Sequence, residues 1–296
     1  MEKDLNTIKE RIEKIGKLPT FPTVALEIQR MTKDPDASMG KISTMIENDP
    51  SLTITLLKIA NSPFYGFLQT VRTAQHALSV MGLKAVENLV TSICVFKTFD
   101  TIGNKQDFDK QAFYEHSTGC GAVARMIATR LGFIDNGDHF IAGLTHDLGK
   151  IILDFYFHDD FIKALEFAKT ENIPLNKAEK EIIGADHAAI GSWLAKKWKL
   201  PDSLVESIAY HHEPSSATLD KPLTAIIHLA NILCKVKNIG FGGSFDSVSF
   251  VENPAWQILA KEKPELLNLD IERLVIELDD EIEKSFELFS STTTVS

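Results

Sequence analysis

Cysteine, clustered positive charge and long apolar runs are all scarce in this 296-residue sequence, and each scarcity excludes something. The three cysteines, Cys94, Cys120 and Cys234, lie far apart and form no CxxC pair. Neither a disulfide framework nor a thiolate zinc site is suggested by that spacing, and reduced, buried thiols are expected. Lysine and arginine number 31 against 41 aspartates and glutamates, a net charge of -10. Such a chain repels a phosphate backbone, and no Lys/Arg cluster with interleaved aromatics overcomes this locally, so nucleic acid is not an expected partner. A small phosphorylated ligand stays open, because a metal ion inverts the charge of one pocket. Nowhere do 18 uncharged apolar residues run together, and the opening "MEKDLNTIKERIEKIG" is a charged amphipathic helix without a signal peptide's apolar core. A cytoplasmic protein with no membrane partner is expected.

Alternating Val/Ile/Thr runs bounded by turn residues are almost absent as well, whereas nearly every segment has apolar residues at helical spacing. The expected fold class is all-α. With 44% hydrophobic and 24% charged residues there is material for a sizeable core, and the length suits two packed lobes. The polar stretch "DTIGNKQDFDK", residues 100–110, lacks apolar periodicity and marks a boundary. The division reads as an N-terminal helical lobe over 1–105, a second helical lobe over 106–240 and a C-terminal helical extension over 241–296.

In the first lobe Pro19 and Pro22 hold the chain extended before a helix from about Thr23, closed by "KDPDAS". Asp49 is placed to cap the next helix, Pro50 suits its first turn, and Leu52, Leu56, Leu57 and Ala60 form a buried stripe ending at Asn61-Ser62-Pro63. "VRTAQHALSVMGLKAVENLVTSICVF" gives two helices broken at Gly82; this helix-turn-helix outline has too few basic residues to read DNA, so packing is the better reading. In the second lobe the spacing predicts helices over 111–131, 138–156, 159–171, 175–184, 186–198, 202–212 and 222–238 with short junctions. "GFGGSFDSVSF" lacks a P-loop Lys-Ser/Thr and reads as a flexible connection, before an acidic helical end and a frayed "SSTTTVS".

The chemistry lies in the histidines. In "GLTHDLGKIILDFY" His146 and Asp147 interrupt an apolar helix, and a carboxylate buried there needs a partner. A divalent cation is economical, since neighbouring imidazole and carboxylate both reach one ion. The pair His158-Asp159 in "FHDDF" sits among other acids and reads as a solvated helix start with Asp159 or Asp160 as cap. Further donors begin or end apolar helical stripes: His116 in "YEHSTGCGAVA", His187 in "GADHAAIGSWLA", and His211 and His212 in "IAYHHEP". Singly, each is more simply a hydrogen-bonded or surface histidine; jointly, five histidines and one aspartate match a bundle-core metal site. One or two divalent transition-metal ions are implied, and with no cysteine expected nearby, iron, manganese, nickel and zinc are left open. Glu115 diverges from His116 by about 100° on the helix and is set aside. His76, His139 and His228 read as packed or surface side chains.

The order His116, His146-Asp147 in "THDLGK", His187, His211-His212 in "YHHE" resembles the HD superfamily of metal-dependent phosphohydrolases, closest to its HD-GYP branch, over roughly residues 111–235. Upstream, "LPTFPTVALEIQRM", "DPDAS", "IENDPSLTITLLKIANSPFYG" and "ALSVMGLKAVENLV" resemble the N-terminal half of the HDOD family, the HD-related output domains of bacterial signalling proteins. The resemblance implies an α-helical, two-lobed protein acting through a signalling protein partner, often with eroded metal ligands. Where catalytic HD proteins bring a later aspartate, "TAIIHLANILCK" offers Asn231, a neutral and weaker donor, and the GYP loop is missing after "YHHEPSSATLDKPL". An output protein that keeps its metal with little or no catalysis is thus expected. The alternative is a metal-dependent phosphohydrolase with a nucleotide or cyclic dinucleotide ligand, in which Lys150 neutralises a phosphate oxygen. Outside that alternative Lys150 is a solvent-facing lysine.

Overall fold

The computed structural model describes residues 2–15, 22–32, 34, 38–61, 65–100, 108–134, 137–240, 252–269, 273–274 and 276–278. Pro19, most of "KDPDAS", Ser62-Pro63, the centre of the 100–110 boundary, the glycine-rich stretch after Gly240 and the acidic C-terminal end lie outside the described residues. Among the described residues there are fourteen α-helices, two 3-10 turns and no strand, as expected for an all-α chain.

The helices are α1 (Glu2–Ile15), α2 (Thr23–Thr32), α3 (Met39–Glu47), α4 (Pro50–Ala60), α5 (Ala74–Met81), α6 (Leu83–Asp100), α7 (Lys110–Arg130), α8 (Asp138–Thr145), α9 (Leu148–Glu171), α10 (Leu175–Ile182), α11 (His187–Lys197), α12 (Asp202–Tyr210), α13 (Lys221–Val236) and α14 (Pro254–Glu262). They fall into two compact units, a larger one of Met1–Thr20 and Ile102–Ile271, and a smaller one of Phe21–Thr101 and Glu272–Ser296. Helix α1 therefore groups with later helices and not with those that directly follow it. It buries Ile8 and Ile12, sets the Arg11 guanidinium 4.6 Å from the Phe157 ring centroid, and pairs Glu13 with Lys197 of α11.

The smaller unit contains α2 to α6. Asp49 caps α4 by accepting from the Leu52 N–H at 2.9 Å, Pro50 fills the first turn, and Leu52, Leu56 and Ala60 are buried while Leu57 is only half covered. The Asn61 side chain then bridges Val71 in both directions, donating to its carbonyl and accepting from its N–H, each at 2.7 Å. The break between α5 and α6 falls at Gly82 with φ 86°, a backbone conformation that only glycine adopts freely.

In the larger unit the sequence reading of one helix over 138–156 needs correction. Helix α8 stops at Thr145, α9 starts at Leu148, and His146-Asp147 form the turn between them. The reason is local: Asp147 has non-helical φ -96° and ψ 11°, and the His146 Nδ1–H is spent on the Gly143 carbonyl at 2.6 Å. Asp147 occupies the cap position of α9 without making a side-chain cap bond, so its carboxylate is free to face inward. A second correction concerns "FHDDF". Helix α9 is kinked at Phe157 (φ -133°, ψ 36°), where the sequence reading placed a junction between helices, and runs on to Glu171; His158, however, is buried against Asp154 at 2.7 Å. Phe157, His158 and Phe161 are buried while Asp159 is exposed and Asp160 half-buried, so it is the histidine that departs from the solvated reading.

Two glycine crossings bring the ligand-bearing elements together. A Cβ on Gly143 would meet the Cys120 carbonyl oxygen at 2.6 Å, so α8 and α7 touch backbone to backbone there, with Gly121 on the other side. A Cβ on Gly149 would overlap the His187 carbonyl oxygen and come within 2.8 Å of the Gly191 nitrogen, so α9 and α11 touch in the same way. Gly149→Ala is accordingly expected to destabilise the protein by about 3 kcal/mol in urea denaturation, because both opposing groups are backbone and cannot move aside. Gly40→Ala, which meets only the Ser38 hydroxyl at 3.6 Å, is the control and should gain up to about 1 kcal/mol.

Candidate metal centre

Asp147 lies at the focus of four imidazoles from separate elements. Its carboxylate oxygens are 3.2 Å from His146 Nε2, 3.1 Å from His187 Nε2, 3.6 Å from His116 Nε2 and 3.6 Å from His211 Nε2. His116, His146, Asp147 and His211 are fully buried, and His187 is nearly so. His212 is half-buried and places its Nε2 2.9 Å from that of His187. The sequence-predicted donors thus converge.

Four of the five imidazoles are aimed by a bond at the far nitrogen. His116 Nδ1 meets the Ile239 carbonyl at 3.1 Å, His146 Nδ1 the Gly143 carbonyl at 2.6 Å and His211 Nδ1 the Ile208 carbonyl at 2.8 Å. A carbonyl only accepts, so these Nδ1 atoms carry the proton and the Nε2 lone pairs point at Asp147. His187 is held by a carboxylate: Glu179 Oε2 accepts from both its Nδ1, at 2.6 Å, and its backbone N–H, at 2.8 Å. Glu179 is a functional residue that sequence reasoning missed; it lies eight residues upstream on α10 with nothing to mark it. His228, read as packed or surface, donates from Nδ1 to the His211 carbonyl at 2.7 Å and so braces a donor without joining the cluster.

The charges at the cluster offset one another, but the buried Nε2 lone pairs of His146 and His211 are left without a hydrogen-bond partner. Burial alone would raise the Asp147 carboxyl, but His146, Lys150 and His187 overrule it and hold the group well below the usual carboxylate range. Burial pushes His187 down, yet Glu179 and Asp147 carry it up to about 9. His211 and His212 go the other way, driven well below the usual histidine value by burial and by neighbouring imidazoles, so they are neutral, as ligands must be. His146 Nε2, His211 Nε2 and Asp147 Oδ1 are buried and make no hydrogen bond. Lone pairs facing a carboxylate in a dry interior repel one another unless a positive charge joins them. The donor set therefore fits a divalent ion, through His146, Asp147 and His211 on one side and His187, His211 and His212 on the other; within each trio the ligand atoms lie within 4.8 Å of one another.

Lys150 is not solvent-facing. It is 2% exposed, and its Nζ lies 2.5 Å from Asp147 Oδ2. Lys235 on α13 adds a second ammonium, brought down to about 8 by burial and by Lys150. Asn231, also on α13, is buried with its Oδ1 making no hydrogen bond. The expectation of no cysteine near the donors needs correction: Cys120 Sγ is 3.5 Å from His116 Nε2, and His116, Cys120 and His146 form a third trio. The signal was the i,i+4 spacing of His116 and Cys120 on one helix face. His76 lies in the smaller unit.

Comparison with known proteins follows the same lines. The HDOD domain model matches residues 18–214. An uncharacterised protein of Treponema pallidum (strain Nichols) is 28% identical over 224 residues, which are 74% of this chain and 42% of that protein, so the chain spans less than half of that relative's length. An HDOD domain protein of unknown function from Geobacter sulfurreducens has a similar crystal structure, with a TM-score of 0.79 at 23% identity over 96% of this chain and 98% of that one. A candidate signal transduction protein from Marinobacter aquaeolei VT8 follows at 0.73 and 21%, covering 97% of this chain and 64% of that one. A candidate phosphohydrolase from Shewanella amazonensis SB2B matches at 0.69 and 22% over 96% of each chain. These likenesses establish the fold.

Removing the charge that supports His187 should be read directly in metal affinity. Glu179→Gln is expected to weaken zinc binding by about tenfold, measured by competition with a chromophoric chelator, while the helical circular dichroism stays unchanged. Equal affinity in the two proteins would assign Glu179 to folding alone.

Proposed function

The chain belongs to the HDOD family, and from that premise we propose that it is a signalling output protein whose Asp147-centred cluster holds one or two divalent transition-metal ions with little or no turnover. The observation that carries this reading is closure: His146 Nε2, His211 Nε2 and Asp147 Oδ1 are all shut off from solvent. A catalytic centre keeps a position open for water or substrate, whereas a structural centre surrounds its ion with protein. Lys150 strengthens the case, since its ammonium is committed to Asp147 and not to an incoming phosphate.

In this reading His116, His146, Asp147, His187, His211 and His212 are the ligands, with Asn231 a weak neutral addition. A bound ion supplies the positive charge that Asp147 and the bare Nε2 atoms call for. The chain's own residues do the rest: Glu179 and three backbone carbonyls orient the rings, and Lys150 neutralises the carboxylate oxygen nearest it. Iron, manganese, nickel and zinc all suit an imidazole and carboxylate set. Such a centre ties α7, the α8–α9 turn, α11 and the end of α12 into one body that a protein partner can read. No helix among the described residues is long and apolar enough to cross a membrane.

A second reading is favoured by His212, the half-buried member of the cluster. If a phosphorylated ligand enters, it does so from that side, with Lys150 and Lys235 as the cations beside it, and the protein is a metal-dependent phosphohydrolase acting on a nucleotide or cyclic dinucleotide. Anaerobic purification, elemental analysis and a nucleotide and cyclic-dinucleotide hydrolysis panel separate the two. The expected outcome is at least one transition-metal ion per chain and no product; product that His146→Ala abolishes establishes the second reading, and a metal-free protein that takes up none on addition refutes both. Metal at a hundredfold its Kd should also raise folding stability by about 2.7 kcal/mol, seen as a shift of the urea midpoint.

A further inference from the structure

We propose that His116, Cys120 and His146 form a mixed nitrogen and sulfur corner of this centre, with Cys120 binding as a thiolate, so that the site takes a thiophilic or borderline ion such as zinc, iron(II) or cobalt(II). The inference rests on the reading that the histidine cluster binds metal, and it adds both a ligand and a metal class.

Three observations meet at Cys120. First, His116 and Cys120 are one turn apart on α7 and share a face, which puts Sγ 3.5 Å from His116 Nε2. A tetrahedral ion with metal–sulfur and metal–nitrogen bonds of about 2.3 and 2.0 Å separates its sulfur and nitrogen ligands by about 3.5 Å, so the pair already stands at ligand spacing. Second, both histidines present Nε2 here because their Nδ1 atoms are held by the Ile239 and Gly143 carbonyls, and His146 Nε2 makes no hydrogen bond although it is buried. Third, the contact of Gly143 with the Cys120 backbone closes α8 onto α7 at this level, so the His146 side chain is carried to Cys120 by a crossing that no larger residue permits.

The chemistry follows from the ligand type. A buried thiol beside imidazoles is only a weak hydrogen-bond partner, whereas a thiolate on a cation is a strong soft donor, and the cation's charge offsets its burial. Sulfur favours zinc, iron(II) and cobalt(II) over magnesium and manganese(II), which prefer oxygen donors. Thiolate donation also lowers the acidity of any water on the same ion, consistent with a centre built to hold and not to hydrolyse.

Cobalt(II) reports its ligands by colour, and the full chain is the material to use. Protein carrying Cys94→Ser and Cys234→Ser keeps Cys120 as its sole thiol; loaded with cobalt(II), it should show visible d–d bands together with a near-ultraviolet sulfur-to-cobalt charge-transfer band. Cys120→Ser alone should keep the d–d bands, lose the charge-transfer band and bind zinc at least about tenfold more weakly, with manganese(II) affinity unchanged. If the double variant does not fold by circular dichroism, the spectrum of wild type minus Cys120→Ser decides instead. Visible bands without charge transfer in wild type would overturn the thiolate and leave the metal reading standing; absence of cobalt uptake would overturn both.

Discussion

A carboxylate shut away from water, with four imidazole nitrogens turned toward it, sets the terms for the larger unit. Moving such a charge out of water costs several kcal/mol even after relaxation, so Asp147 exists as an ion only because of what surrounds it. Lys150 at 2.5 Å is part of the answer, and the approach of His187, held basic by Glu179, is another. Neither answers for the bare Nε2 atoms of His146 and His211, which face the same point without a donor. A cation would satisfy the carboxylate and the lone pairs together.

The backbone carries much of this design. Asp147 stands in a cap position but does not cap, because the turn between α8 and α9 sends its side chain into the interior. Carbonyl groups of residues 143, 208 and 239 fix three rings, so ring orientation is a property of helix ends and not of neighbouring side chains. His187 is the exception: a carboxylate holds it, which helps carry it up to about 9 and couples α10 to the centre through Glu179. Backbone contact at Gly143 and Gly149 brings α8 and α9 against α7 and α11, and any side chain at those positions would push donors apart.

In the proposed reading a closed centre suits transmission better than turnover: ligands from α7, the α8–α9 turn, α11 and α12 would make helix positions interdependent, so that gain, loss or exchange of an ion would shift several helices together. The sulfur atom one turn from His116, if it joins the ligands as proposed, would bias the choice of ion toward thiophilic metals.

The sequence alone determined the helical class, most helices of the larger unit and the candidate donors that the fold brings together, because apolar periodicity and histidine placement are local properties written along the chain. His146-Asp147 was legible as a site because a polar pair in an apolar run has no local excuse. Local pattern failed where a partner came from elsewhere in space. The turn at 146–147 hid inside a continuous helical pattern, since the non-helical angles of Asp147 serve a contact that period counting does not register. His158 looked solvated because its acidic neighbours were visible and the apolar packing around it was not. Glu179, the buried state of Lys150, the place of Cys120 beside His116 and the grouping of α1 with the later helices were decided by tertiary structure alone, because each depends on which helix faces meet, and only the folded backbone, through crossings as close as Gly149 on His187, settles that.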